Sequence, residues 1–264
     1  MPWNLQNTYL LYAFNTYVEP KMVHSGIPGL DEILGGELSR KSCVLLHGGP
    51  GSGKTTLAIQ FLYNGVVENN EPGIFISLCE NPDEIRRNML AFGWDLAKLE
   101  RQRKLAIIDA RPVTYTEEGY IIPDENLFKG ETVPFSHISR KVMDAVKEIG
   151  AKRLVIDSVT VLTSQYDNPA YVRQGLLGLI QVLCSLDCVS MLLSENIGKE
   201  YDEPSLEWIV VPGLIVLYYA RKGSSMVRAI QVRKVRGLKH SSDIYHMEIG
   251  NQGIVIHPEE RAEF

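Results

Sequence analysis

Residues 48–56 read GGPGSGKTT: Gly48, four residues, then Gly53, Lys54 and Thr55. The run follows the apolar stretch CVLLHG (43–48) and opens a segment in which Leu57, Phe61, Leu62 and Val66 recur at helical spacing. Strand, glycine-rich turn and helix in that order make a phosphate-binding loop. The glycines let the backbone wrap an anion with its N–H groups pointing inward, and the helix N-terminus adds a favourable field. On this pattern Gly49, Pro50, Gly51, Ser52, Gly53, Lys54, Thr55 and Thr56 cradle the phosphates of a nucleotide. Lys54 reaches the β- and γ-phosphates and Thr55 holds Mg²⁺.

Such a loop requires a sheet to emerge from, and the rest of the chain supplies one. Apolar runs of five or six residues alternate with helix-period segments, the pattern of a parallel sheet covered by helices on both faces. Strands are expected at CVLLHG (43–48), GIFISL (73–78), LAIIDA (105–110), RLVIDS (153–158), VSMLLS (189–194), LIVLYYA (214–220) and RAIQVRKV (228–235), with helices after the first four. The first helix is expected over Thr55–Glu68. A second begins at Asn81 as N-cap, with Pro82 at N1 and Glu84 at N3 as a capping-box variant. Residues 111–135, acidic and broken by Pro112, Pro123 and Pro134, read as a long surface insertion.

The fold class is therefore α/β, organised as an N-terminal extension (1–21), one domain (22–258) and a short acidic tail (259–264). The opening MPWNLQNTYLLYAFNTYVEPK is aromatic-rich but lacks the basic start of a signal peptide. It reads as a docking arm, or as a consequence of a mis-assigned start ahead of Met22. No apolar run reaches membrane-spanning length. Cys43, Cys79, Cys184 and Cys188 lack CxxC spacing and read as buried reduced thiols, which fits a cytoplasmic location. A net charge of −5 repels polyanions, so nucleic-acid binding would need a local basic patch.

A phosphate-binding loop is commonly paired with an acid at a neighbouring strand end that orients the metal's water shell. Asp157 in RLVIDS and Asp109 in LAIIDA both have that local setting, and local pattern leaves the choice between them open. Between Trp208 and Ser242 there is no Asp or Glu, yet Arg221, Lys222, Arg228, Arg233, Lys234, Arg236 and Lys239 all fall there. On a strand, Lys234 and Arg236 share a face and can point at one anion. A solvated basic edge that discourages strand pairing is the other reading of the same segment.

From Val23 to Pro258 the chain resembles the KaiC-like branch of the RecA/RadA superfamily of ATPases. The shared features are SGIPGLDEILGGEL, the phosphate-binding loop, QFLYNG, EPGIFISL, AFGWDLAKL, IDSVT, KVRGLKH and GIVIHP, in that order. The resemblance implies a RecA-like twisted sheet with antiparallel C-terminal strands. It also implies Mg²⁺ and ATP bound between neighbouring subunits of a homo-oligomeric, hexameric ring. It selects Asp157 as the metal-side acid, acting through water. It implies that Lys234 and Arg236 reach a neighbour's γ-phosphate, and that Ser194 and Glu195 stand where the superfamily senses that phosphate.

In well-studied KaiC domains the strand after the loop helix ends in two consecutive glutamates that position the lytic water. Here those positions read Cys79 and Glu80. Glu80 is the expected base; a thiol, neutral near pH 7 and a weak hydrogen-bond partner, does not replace the other carboxylate. Slow hydrolysis of ATP to ADP and phosphate is expected, in a regulatory or assembly role. Trp208 and Ile209 stand where a self-phosphorylating KaiC domain needs hydroxyls. Two alternatives are a RadA-like DNA-dependent ATPase, disfavoured by the neutral to acidic segments after Asp157 and Ser194, and a nucleotide sensor with little turnover.

Overall fold

The computed structural model describes residues 21–111, 114–115, 121–122, 133–195 and 205–264. In chain order it comprises β1 (Met22–Val23), α1 (Leu30–Leu34), β2 (Leu38–Ser39), β3 (Ser42–Gly48), α2 (Lys54–Asn69), β4 (Gly73–Ser77), α3 (Pro82–Met89), α4 (Leu96–Arg101), β5 (Leu105–Asp109), β6 (Thr114–Tyr115) and β7 (Ile121–Ile122). There follow α5 (Phe135–Ile149), β8 (Arg153–Asp157), α6 (Val159–Thr163), α7 (Pro169–Ser185), β9 (Val189–Glu195), α8 (Leu206–Val210), β10 (Gly213–Lys222), β11 (Ser225–Val235), β12 (Ile244–Gly250) and β13 (Gly253–Arg261).

The main sheet runs β13-β12-β11-β10-β3-β9-β8-β4-β5. Strands β10, β3, β9, β8, β4 and β5 are mutually parallel, and β11 to β13 add an antiparallel edge. This is the expected mixed α/β sheet. Both faces are dry because successive strand residues feed opposite cores: Val44, Leu46, Phe75 and Val155 pack with α2, whereas Leu45, Ile74, Ile76 and Leu154 pack with α5 and α7. That is why these strands read as continuous apolar runs rather than alternating ones.

All seven expected strands form, with boundaries shifted by up to three residues. The helix drawn over Thr55–Glu68 spans Lys54–Asn69. Asn81 caps its helix as expected, accepting from the N–H of Asp83, with Pro82 in the first turn. Glu84 does not close a capping box, and its carboxylate instead lies 3.9 Å from Arg87. The predicted tail boundary at Pro258 falls inside β13, which continues to Arg261. Of the predicted extension, only Lys21 is described, its carbonyl accepting from the N–H of Arg40 at 2.8 Å. The insertion predicted at 111–135 lies largely outside the described residues, apart from the two-residue pairing of β6 with β7. Among the described residues no helix is long and apolar enough to cross a membrane.

One buried cation pins the start of the sheet to the chain's opening turns. Arg153, fully buried at the head of β8, donates to Glu71, to the carbonyls of His24 and Ser25, and to the carbonyl of Phe61 in α2. Gly65 is required beneath it, because a Cβ there would meet the guanidinium at 2.2 Å. Arg40 adds a second guanidinium to Glu71 at 2.7 Å, so the buried charges are paired.

Candidate functional site

The glycine-rich loop leaves the C-terminal end of β3, the central strand between β9 and β10, where crossovers depart in opposite directions. In open α/β sheets this crevice is the ligand-binding position. Gly51 and Gly53 sit at φ 73° and 101°, the left-handed region that glycine adopts at no steric cost. Gly48 has no room for a side chain: a Cβ would stand 2.6 Å from the carbonyl oxygen of Leu217 and 2.7 Å from Ser52 Oγ. Ser52 Oγ itself donates to the carbonyl of Gly49, closing the turn from inside.

A cleft of about 450 Å³ opens over this loop. Into it the fold brings Lys54, Thr55, Cys79, Glu80, Asp157 and Glu195, contributed by the ends of β3, β4, β8 and β9. Thr55 Oγ1 donates to Asp157 Oδ2 at 2.9 Å, tying the loop helix to β8. Asp109 does not line the cleft and is instead paired with Arg111 at 2.8 Å. Lys54 Nζ donates to the carbonyls of Gly48 and Gly49. Glu80 is set by a local device: the Ser77 hydroxyl donates to the Glu80 carbonyl at 2.6 Å and accepts from its N–H at 3.2 Å.

The electrostatics are those of several acids crowded round one lysine. Burial pushes the Asp157 carboxyl up to about 6; the Thr55 hydrogen bond opposes this, and the nearby Glu80 charge adds to it. Burial, then Glu84 and Glu195, also push Glu80 upward. Burial and then Asp157 raise the Cys79 thiol, which keeps it protonated. Burial lowers Lys54, and Glu195 and Asp157 oppose that shift. A hydroxyl and several mutually destabilised carboxylates form a hard oxygen donor set that fits Mg²⁺. Cys79, expected as a buried thiol, is exposed at the cleft because it lies beyond the last residue of β4.

Acid should therefore weaken cation-dependent binding through Asp157. A carboxyl whose folded pKa lies above its ordinary value holds a proton more tightly than the unfolded chain, so its ionisation disfavours the nucleotide-free fold as pH rises from about 4 through about 6. A divalent cation reverses that by preferring the ionised form. The Mg²⁺-dependent gain in ATP affinity of the wild type over Asp157→Asn is expected to be full at pH 8 and to close below pH 6. Titration calorimetry at the two pH values checks this.

Lys234 and Arg236 are not in their own chain's cleft. Register puts Lys234 beside Leu214, which pairs with Leu45, upstream of the loop. Lys234 Nζ donates to the carbonyl of Trp208 at 2.6 Å. Arg236 lies one residue beyond β11, which ends at Val235, and its N–H donates to the carbonyl of Pro212, the position opposite it in the β10–β11 register. The two cations remain neighbours, because burial and then Arg236 lower the pKa of Lys234.

Sequence reasoning missed Arg228 and Ile249, which line the cleft, and His47, which is buried beside the loop. Arg228 donates to the carbonyl of Gly51 at 3.0 Å and stacks over Tyr219, so one cation of the basic segment does reach its own loop. Ile249, at the end of β12, packs against the loop at Gly53. His47, next to Gly48, is buried, shares a 2.8 Å hydrogen bond with Ser194 and meets Trp208 edge-on at 5.1 Å. Burial lowers its pKa to about 4, so the ring is neutral. Only the missing Asp and Glu between Trp208 and Ser242 hinted at Arg228. The loop after Glu195, weighed above for nucleic-acid contact, lies mostly outside the described residues.

The family model described as the KaiC ATPase matches residues 23–261. The UPF0273 protein MJ1359 of Methanocaldococcus jannaschii is 39% identical over 251 residues, covering 90% of this chain and 97% of the relative. A UPF0273 protein of Thermotoga maritima is 37% identical, covering 92% and 98%. Among solved structures, the KaiC-like protein PH0186 from Pyrococcus horikoshii superposes with a TM-score of 0.74 at 36% identity, covering 90% of this chain and all of that one.

Proposed function

The chain belongs to the KaiC family of ATPase domains, and from that premise we propose that it binds Mg-ATP in the β3 cleft and hydrolyses it slowly at the interface between copies of itself in a ring. The carrying observation is the convergence of the glycine cradle, Lys54, the Thr55–Asp157 pair and Glu80 in one cleft. Backbone N–H groups of the loop and Lys54 hold the phosphates. Thr55 and Asp157 hold the cation, the latter through water, and Mg²⁺ supplies charge neutralisation when bound. Glu80 accepts the proton of the attacking water, and the upward shift that burial gives its carboxylate makes it a stronger base. Lys234 and Arg236 serve the cleft of a neighbouring copy, since they do not line their own.

A regulatory or assembly role follows if nucleotide state and subunit contact are coupled. A short path supports this: Lys234 holds the Trp208 carbonyl, the Trp208 ring abuts His47, and His47 precedes the loop and bonds to Ser194. The neutral Cys79 favours low turnover, which keeps a nucleotide-sensing reading beside the enzymatic one.

Calorimetry and light scattering with and without Mg-ATP test the proposal together. The wild type is expected to bind about one ATP per chain and to assemble. Lys54→Ala is expected to lose affinity by about 10–100-fold, the cost of removing a charged hydrogen bond of roughly 1.5–3 kcal/mol. Equal affinity in Lys54→Ala would remove the cleft as the binding site, and a monomer under all conditions would remove the ring.

A further inference from the structure

The outer face of the C-terminal hairpin carries a constellation that the nucleotide chemistry does not use. His246 on β12 and His257 on β13 are direct cross-strand partners, their rings stacked with centroids 5.4 Å apart. Side chains alternate across a strand, so Met247, Ile254 and Ile256 fill the core. The two histidines and Glu248 therefore share the opposite face. His246 Nδ1 and His257 Nε2 are both shielded from solvent and have no hydrogen-bond partner. Each lies 3.9 Å from an oxygen of Glu248, His246 Nδ1 from one and His257 Nε2 from the other. That distance is too long for a charge-assisted hydrogen bond, for which about 2.7–2.9 Å is usual.

We propose that His246, His257 and Glu248 bind a borderline-soft divalent metal ion of the Zn²⁺ or Co²⁺ kind. One ligand atom from each of the three lies within 4.8 Å of the others. Zn–N and Zn–O bonds of about 2.0–2.2 Å set tetrahedral ligand atoms roughly 3.3 Å apart. Closing the group thus takes shifts of up to about 1.5 Å, shared between Glu248 and the two imidazoles. One ion satisfies both orphan nitrogens and the carboxylate at once. Glu260, 3.5 Å from His246 Nδ1, or a water completes the shell. Two imidazoles select against Mg²⁺ and Ca²⁺, which prefer oxygen ligands such as Thr55 and Asp157. The inner face of the same hairpin holds the loop helix, with Gln60 of α2 bonded to both the N–H and the carbonyl of Ile254.

Titrating the full chain with Co²⁺, free of nucleotide and Mg²⁺, and following visible absorption tests the site. One Co²⁺ per chain in a four-coordinate spectrum, displaced by Zn²⁺, is expected. His246→Ala and His257→Ala should each weaken binding by more than the roughly 10–100-fold that loss of an outer-shell partner costs. His24→Ala and His240→Ala should leave it unchanged. Because the alanine variants also remove packing from the hairpin, Glu248→Gln, on an exposed side chain, must also weaken binding with an unchanged circular dichroism spectrum. Absence of Co²⁺ binding, or binding that survives the His246, His257 and Glu248 substitutions, overturns the proposal.

Discussion

Replacing Lys234 and Arg236 together with alanine is expected to lower ATP turnover by about 10³–10⁵-fold, the range seen when a cation delivered to a transferring phosphoryl group is removed. Affinity for ATP should change far less, because neither residue lines its own chain's cleft. The physical basis is an imbalance of charge. The cleft faces Glu80, Asp157 and Glu195 with Lys54 and Arg228 as its cations, and Arg228 is engaged with the Gly51 carbonyl. Meanwhile burial and the adjacent Arg236 disfavour the charged form of Lys234, and among the described residues neither cation has a carboxylate partner. In the proposed ring, an anion brought up by a neighbouring copy would relieve that repulsion, and the cations would in turn offset charge developing on its phosphoryl group. Equimolar mixing of the Lys234→Ala/Arg236→Ala chain with Glu80→Gln chains is expected to regain turnover above either alone, since some interfaces then pair an intact cleft with intact cations. Cis action would show as no recovery.

The second large effect concerns Glu80 itself. Glu80→Gln preserves the side chain's shape and removes only its basicity, so turnover should fall by about 10²–10⁴-fold, the usual contribution of a general base. ATP binding should stay close to that of the wild type. Ser77 fixes the Glu80 backbone through two hydrogen bonds that do not involve the carboxylate, so the substitution leaves the turn intact. Cys79 points to the complementary experiment. Its protonated thiol offers the attacking water little, and Cys79→Glu is expected to raise turnover, measured as phosphate release under saturating Mg-ATP.

Much of this was legible in the sequence because the decisive signals are local. The glycine spacing, the apolar runs buried on both faces and the Asn81-Pro82 start of α3 each depend on neighbours in sequence, and each forms. What was not legible depends on partners far away. Arg153 reads as the polar edge of an apolar run, yet it is fully buried because Glu71 and carbonyls from His24, Ser25 and Phe61 converge on it. Arg228 was one of seven basic residues until β11 pairing set it beside Tyr219 and the loop. The β12–β13 hairpin was not drawn, because its Tyr-His-Met-Glu alternation is short and its apolar half is explained only by the loop helix it covers. Arg236 lies one residue past the end of β11, a boundary that counting in twos does not fix.

Single-turnover hydrolysis of γ-labelled ATP bound to wild-type and Glu80→Gln chains, with bound nucleotide quantified alongside, tests the central claim most directly. The prediction is equal ATP occupancy, slow conversion to ADP and phosphate by the wild type, and intact ATP on Glu80→Gln over the same time. Conversion at the same rate by both would contradict the account of the cleft, and wild-type chains that hold ATP unchanged would leave a nucleotide-binding protein that is not an ATPase.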